Sequence, residues 1–271
     1  MPMTRVVRFP GAHGGELAAR LELPDGEPRA SALFAHCFTC SKDLKSIVRI
    51  SRELAERGIA VLRFDFTGLG ESEGDFADTD FSSNLEDLVG AADFLSEEVG
   101  GPEILIGHSL GGAAVLAAGE RIPQARAVAT LGAPSSTGHL VETLSEAAPE
   151  LASSDAPAGE TAEVTLAGRT FEVRRQLLED LSEHRLLESV GSLGRPLLLF
   201  HSPVDQIVAI DHAARLYEAA RHPKSFVSLD NADHLLLDDP SHSALVARVL
   251  AAWAPSRGRS LAGHGPRHHL E

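Results

Sequence analysis

In this 271-residue sequence, Gly107-His108-Ser109-Leu110-Gly111 has the residue types that could do covalent chemistry. A serine hydroxyl becomes a nucleophile when a base takes its proton and the backbone presents it clear of its surroundings. The apolar run before it, Ile104-Leu105-Ile106, reads as a buried strand, and the small-residue segment down to Glu120 reads as a helix packed against a sheet. Between them the glycines leave room for a sharp strand-to-helix turn that lifts the Ser109 hydroxyl out of the sheet. The helix aims its free N–H groups at the same place. A serine in an ordinary Gly-rich turn matches the same five-residue pattern, so it is the strand before and the helix after that favour the nucleophile.

A nucleophilic serine needs a base within hydrogen-bond reach, an acid to orient that base, and two donors where the oxyanion forms. In a parallel sheet these come from loops at the carboxyl ends of strands. His234, in Asp230-Asn231-Ala232-Asp233-His234, and Asp205, in His201-Ser202-Pro203-Val204-Asp205, each follow an apolar strand, in the chain order Ser, Asp, His. Residues 132–136 hold no competing carboxylate, Asp211 reads as a helix cap, and His108 reads as packing on the far side of the turn. The oxyanion donors are expected to be the main-chain N–H groups of Leu110 and Phe38. Together these predict a serine carboxylester hydrolase acting on a small-molecule ester through an acyl-enzyme, with no cofactor and no metal. An acyltransferase or perhydrolase on the same acyl-enzyme, and a non-catalytic ligand-binding module on the same scaffold, are the alternatives.

The elements that must position these groups follow from periodicity. Residues 6–9 and 17–23 read as an antiparallel pair at a sheet edge, followed by strands over 30–35 and 59–64 with a helix over 44–57 between them. Ser82 or Ser83 is expected to cap a helix carrying Leu85, Leu88, Val89, Ala92 and Leu95, broken at Gly100-Gly101-Pro102. Further strands fall at 104–106, 127–131, 196–200 and 225–229, with helices near 211–220 and 242–253. Alternating strands and helices imply a mostly parallel central sheet flanked by helices, an α/β fold.

That rhythm fails between about 135 and 193, which is too long for an ordinary connection and predicts an inserted small lid. Within it, 152–159 is expected to be mobile, 163–173 to form a hairpin turning near Gly168, and 176–190 to form one helix. Leu177, Leu178, Leu181, Leu186 and Leu187 make an apolar stripe that fits either a substrate pocket or the lid's own packing. The hydrolase domain is placed at 1–254, and 255–271, with no apolar period, is expected to be disordered.

Hydrophobic residues at 43% and charged residues at 23% are ordinary for a globular chain. The net charge of −15, from 24 Lys and Arg against 39 Asp and Glu, disfavours nucleic acid as a partner. No apolar run approaches membrane-spanning length and the first 15 residues lack the layout of a secretion signal, so neither membrane nor export is expected and the cytoplasm is. The oligomeric state is left open, a homodimer included. Cys37 and Cys40 are too few for a disulfide framework; they read as small packing side chains, with a redox pair as the alternative.

With these residues in hand, the chain resembles a family. His36-Cys37-Phe38-Thr39-Cys40-Ser41-Lys42 is similar to the H-G-F-T-G-S-K loop of cinnamoyl and feruloyl esterase-like α/β-hydrolases, with cysteines at the two glycine positions. Residues 65–74, Asp65-Phe66-Thr67-Gly68-Leu69-Gly70-Glu71-Ser72-Glu73-Gly74, resemble the loop after their fourth strand, and 107–111 their nucleophile elbow. The likeness runs from about Arg5 to Ala254 and is closer still to hydrolase domains that precede an OsmC-like domain. It implies the α/β-hydrolase fold, with Ser109, Asp205 and His234 as triad and Phe38 and Leu110 as oxyanion donors.

Overall fold

The computed structural model describes residues 1–37, 40–152, 160–166 and 169–254. Its first strands, β1 (Met3–Pro10) and β2 (Glu16–Leu23), pair antiparallel with β1 at the sheet edge. Next come β3 (Ala30–Ala35), α1 (Lys45–Glu56), β4 (Ile59–Phe64), α2 (Phe81–Val99), β5 (Ile104–His108), α3 (Leu110–Ala118) and β6 (Ala127–Leu131). After the insertion, β9 (Leu197–His201), α8 (Asp211–Ala219), β10 (Lys224–Ser228) and α9 (Pro240–Trp253) follow. Among the described residues these strands form one eight-stranded sheet in the order β1-β2-β4-β3-β5-β6-β9-β10. Every pairing from β4 to β10 is parallel, as the alternating pattern predicted.

The central strands are buried on both faces, and their side chains divide between two cores as strand alternation requires. Leu33, Leu105, Val128 and Leu199 face one layer, with α2 and α3 and residues such as Leu88 and Val115. Phe34, Ile106, Leu198 and Phe200 face the other, with Ile47 and Leu54 of α1 and Val246 and Leu250 of α9. No described helix is long and apolar enough to cross a membrane.

Several local expectations are corrected. The cap of α2 is Asp80, not Ser82 or Ser83: its side chain accepts from the Ser83 N–H, and the Ser83 hydroxyl closes a capping box on the Asp80 N–H. In the insertion, α4 (Gly138–Ala147) and α5 (Pro149–Ala152) occupy a stretch to which the sequence pattern assigned no element. The hairpin is present as β7 (Thr161–Leu166) and β8 (Arg169–Arg174), while its turn at Gly168, the segment 153–159 and the tail 255–271 lie outside the described residues. The helix expected over 176–190 is two, α6 (Arg175–Glu183) and α7 (Leu186–Ser192), separated where His184 adopts an extended backbone. This break lets α6 lie on α4 and α2 while α7 turns onto α3 and α8.

The apolar stripe of the insertion is consumed by that packing. Leu177, Leu178, Leu181, Leu186 and Val190 are buried in the same core as α2 and α3, and Leu187 is left exposed. Cys37 and Cys40, read as small packing side chains with a redox pair as the alternative, are joined in a disulfide with their Cα atoms 5.3 Å apart.

Candidate active site

Ser109 lies between β5 and α3 at φ 55° and ψ −122°, a conformation that side chains rarely adopt and that costs about 1–3 kcal/mol. Its surroundings hold it there. The Ser109 N–H donates to the Leu131 carbonyl at 2.8 Å, and the Ser109 carbonyl accepts from the N–H groups of Gly112 at 2.8 Å and Ala113 at 3.3 Å. The flanking glycines are required by approach: a Cβ at Gly107 would run into the Gly111 carbonyl, and one at Gly111 into the carbonyls of Ala35 and His36. Strand and helix therefore meet closer than any other residue allows. Leu110 is the first residue of α3, where main-chain N–H groups have no partner within the helix.

On the neighbouring strand ends, His234 Nδ1 lies 2.7 Å from Asp205 Oδ2. The other carboxylate oxygen, Oδ1, accepts from the N–H groups of Ile207 at 2.8 Å and Val208 at 3.0 Å. Burial pushes the Asp205 carboxyl up, but the His234 hydrogen bond and charge and the two main-chain donors outweigh it and hold the group below its ordinary value. An ionised carboxylate at Nδ1 leaves the imidazole's Nε2 for another partner.

Ser109 and this pair are linked through the backbone of β5 and β6. Leu131 accepts from Ser109, and at the next residue, Gly132, a Cβ would stand 3.2 Å from His234 Nδ1 and 3.3 Å from Asp205 Oδ2. From the other side, His108 Nε2 is 2.8 Å from the His234 carbonyl oxygen, with the two rings 5.0 Å apart. His108, expected to point away and pack, thus touches the His234 loop directly. Burial and then the charge of His234 push its imidazole down to about 3. A neutral ring can donate its Nε2 proton to that carbonyl.

Sequence reasoning also passed over His201. Its Nε2 lies 2.7 Å from the Val208 carbonyl and 3.7 Å from Asp205 Oδ2, bracing the loop that carries Asp205, and burial pushes its imidazole down. Its position four residues before Asp205, at a strand end, was the available signal. Of the nearby acids, Asp233 accepts from the N–H groups of Leu235, Leu237 and Asp238, and Asp230 from the Ser228 hydroxyl. Their carboxylates shape the loop.

Phe38, the expected second oxyanion donor, lies outside the described residues. What anchors its loop is described. Asp65, fully buried at the end of β4, accepts from the Lys42 N–H at 2.7 Å, the Lys42 ammonium at 2.8 Å and the Glu71 N–H at 3.0 Å. Lys42 also meets Glu71 at 2.7 Å. Burial would lower the Lys42 pKa, yet Asp65, Glu71 and Asp43 together raise it, so the ammonium stays charged inside the protein. Among the described residues no cluster of three His, Cys, Asp or Glu side chains could hold a metal ion.

A mostly parallel sheet with a strained serine at one strand end and a hydrogen-bonded His–Asp pair in the loops after two others has the layout of an α/β-hydrolase. Residues 32–269 match the Alpha/beta hydrolase family. The chain belongs to that family and is an esterase-like serine hydrolase. It is similar to the esterase domain of a Rhodothermus marinus protein, with 50% identity over 93% of this chain and 98% of that one and a TM-score of 0.74. Ferulic-acid-bound Est1E from Butyrivibrio proteoclasticus shares the fold at a TM-score of 0.74 and 21% identity, over 91% of this chain and 97% of that one. Mitochondrial palmitoyl-protein thioesterase ABHD10 from Rattus norvegicus is 25% identical over 76% of this chain. That match spans 69% of the rat protein, and the corresponding match spans 49% of the human one.

Proposed function

We propose that the protein is a serine carboxylester hydrolase acting on small to medium acyl esters, with Ser109 as nucleophile, His234 as base and Asp205 as the acid that orients it. His234 takes the Ser109 proton at Nε2 as the hydroxyl attacks the ester carbonyl. The oxyanion rests on the main-chain N–H groups of Leu110 and Phe38. His234 returns the proton to the departing alcohol, and water releases the acid by the reverse order of steps. The name carried by the mammalian relatives extends the proposal to thioesters, which differ in the departing atom and use the same machinery. Within this reading 1–254 is the hydrolase domain, the segment 135–193 is its lid, and the setting is cytoplasmic.

The observation that carries this reading is the backbone of Ser109. A strained serine persists only where its surroundings over-determine it, and this one bonds through its N–H to Leu131, next to Gly132, the glycine against which His234 and Asp205 lie. A fluorophosphonate probe should modify Ser109 alone, read by peptide mass mapping. Absence of labelling, or labelling of another serine, would overturn the assignment and favour a binding module.

A further inference from the structure

We propose that His108 is a positioning residue of this reaction: hydrogen-bonded to the main chain of His234, it fixes how far the base stands from the nucleophile. The inference rests on the reading of Ser109 as nucleophile and His234 as base, and adds to it the group that sets their separation.

Chain order ties this residue to the nucleophile. His108 ends β5 and is joined by one peptide bond to Ser109, so its position follows the nucleophile's backbone. Its Nε2 lies 2.8 Å from the His234 carbonyl oxygen, across 126 positions of sequence, and the residue is 3% exposed. The other contacts of the base have different reference points. Asp233 accepts from the N–H groups of Leu235, Leu237 and Asp238, and the Ala232 N–H donates to the Leu229 carbonyl, so these bonds set the shape of the loop. Asp205 holds the Nδ1 edge of the ring from the loop after β9. Gly132 lies against the ring and limits how near the imidazole can come. The His108 bond limits how far it can withdraw. A misplacement of about 1 Å at a reacting centre costs about 10²-fold in rate, and a shift of the His234 main chain carries its imidazole along.

The residue type fits this work better than it fits packing. His108 Nδ1 is buried and has no hydrogen-bond partner among the described residues. An unpaired buried acceptor costs free energy, so the imidazole is explained by the bond that its other nitrogen makes. Neutrality matters as well. Burial and then the charge of His234 push the ring down to about 3, so it carries one proton, on the nitrogen that faces the carbonyl. When His234 takes the Ser109 proton it becomes a cation with the His108 ring 5.0 Å away, and a neutral neighbour adds no like-charge repulsion.

The test uses two amides that differ in reach. In His108→Gln the amide nitrogen falls near the place of the imidazole Nε2; in His108→Asn it falls near that of Nδ1, short of the carbonyl. With p-nitrophenyl butyrate and the full chain, His108→Asn should lower kcat about 10²-fold with KM within about twofold, and His108→Gln should keep kcat within about fivefold of the parent. Counting kcat per Ser109 labelled by fluorophosphonate at completion removes unfolded molecules from the comparison. A kcat near the parent's in His108→Asn, equal losses in the two variants, or a loss confined to KM overturns the assignment. A second measurement needs no variant: nitrogen NMR of the parent at about pH 5, where an ordinary imidazole is charged, should find His108 neutral with its proton on Nε2. A proton on Nδ1 overturns the assignment too. If the parent hydrolyses no ester and Ser109 takes no fluorophosphonate, the acyl-enzyme reading has failed and the positioning role with it. If Ser109 is labelled while the two amides behave alike, the positioning role alone has failed.

Discussion

Ser109, His234 and Asp205 can be set against another grouping of the same residue types among the described residues, Ser82, His184 and Asp180, and the two are wired differently. At the strand ends, Asp205 meets His234 at Nδ1, on the edge of the ring opposite the nitrogen that would serve a nucleophile. Where the insertion joins α2, Asp180 accepts instead from Ser82 itself, from its N–H at 2.8 Å and its hydroxyl at 2.6 Å. His184 Nε2 lies 3.2 Å from the Ser82 oxygen and 3.4 Å from Asp180, so acid and hydroxyl share one ring nitrogen and no proton can be relayed across the imidazole. Ser82 also sits in the first turn of α2, where Asp180 supplies a carboxylate to the helix N-terminus, and the His184 ring stands edge-on to Phe81. The same three residue types make a candidate catalytic site in one place and a tether for the insertion in the other. What separates them is the order of partners and the backbone under the serine.

Exchanging the two serines for alanine should give the largest contrast. Ser109→Ala should lower kcat for short-chain aryl esters by about 10⁴-fold or more with the thermal midpoint held, whereas Ser82→Ala should leave kcat within about twofold. Comparable losses in both variants would erase the distinction.

The two acids should separate next. Asp205→Asn should cost about 10³- to 10⁴-fold in kcat, because the amide no longer fixes the imidazole tautomer. Asp180→Asn should leave kcat near wild type and cost about 1 kcal/mol in denaturant unfolding, the scale of a helix cap.

Acid stability should distinguish the sites more gently. The His108 imidazole has a folded pKa of about 3 against an ordinary 6.5, so between those values the unfolded chain binds a proton that the folded chain does not. Stability therefore falls as pH falls through that window. His108→Gln, which keeps a donor beside the His234 carbonyl, should show a shallower decline of the urea midpoint between pH 6.5 and 3 than the parent. Parallel curves would mean that His108 does not report on the buried site.

The smallest effect on turnover is expected from the packing of the insertion. Leu181→Ala removes a fully buried side chain from the core shared with α2 and should cost about 2–5 kcal/mol of stability, with less than about threefold change in kcat. A large loss of kcat at unchanged stability would give the stripe a direct part in substrate binding.

Much of this was legible in the sequence because its signals are local. Ala30–Ala35, Ile59–Phe64 and Ala127–Leu131 are strands over the residues where short apolar runs placed them, since a strand buried on both faces reads as a mostly apolar run bounded by polar or glycine residues. The elbow was legible because glycine is demanded by steric approach. The single helix expected over 176–190 was not, because periodicity continues through His184 while the chain turns to pack on different partners. Asp80 was missed because serine and aspartate compete equally for a cap, and only the three-dimensional position of Ser83 shows which of them is inside the helix.

Sequence alone determined which residue types exist at strand ends and in what order, because covalent neighbours and hydrophobic period are carried by the chain itself. Tertiary structure decided which of those residues meet. Asp205 and His234 are 29 positions apart, Asp180 and Ser82 are 98, and each pairing depends on where separate loops are brought by a sheet that no local pattern encodes. Hydrogen bonds act over about 3 Å. A site assembled from distant segments therefore exists only once the whole sheet has set its strands side by side.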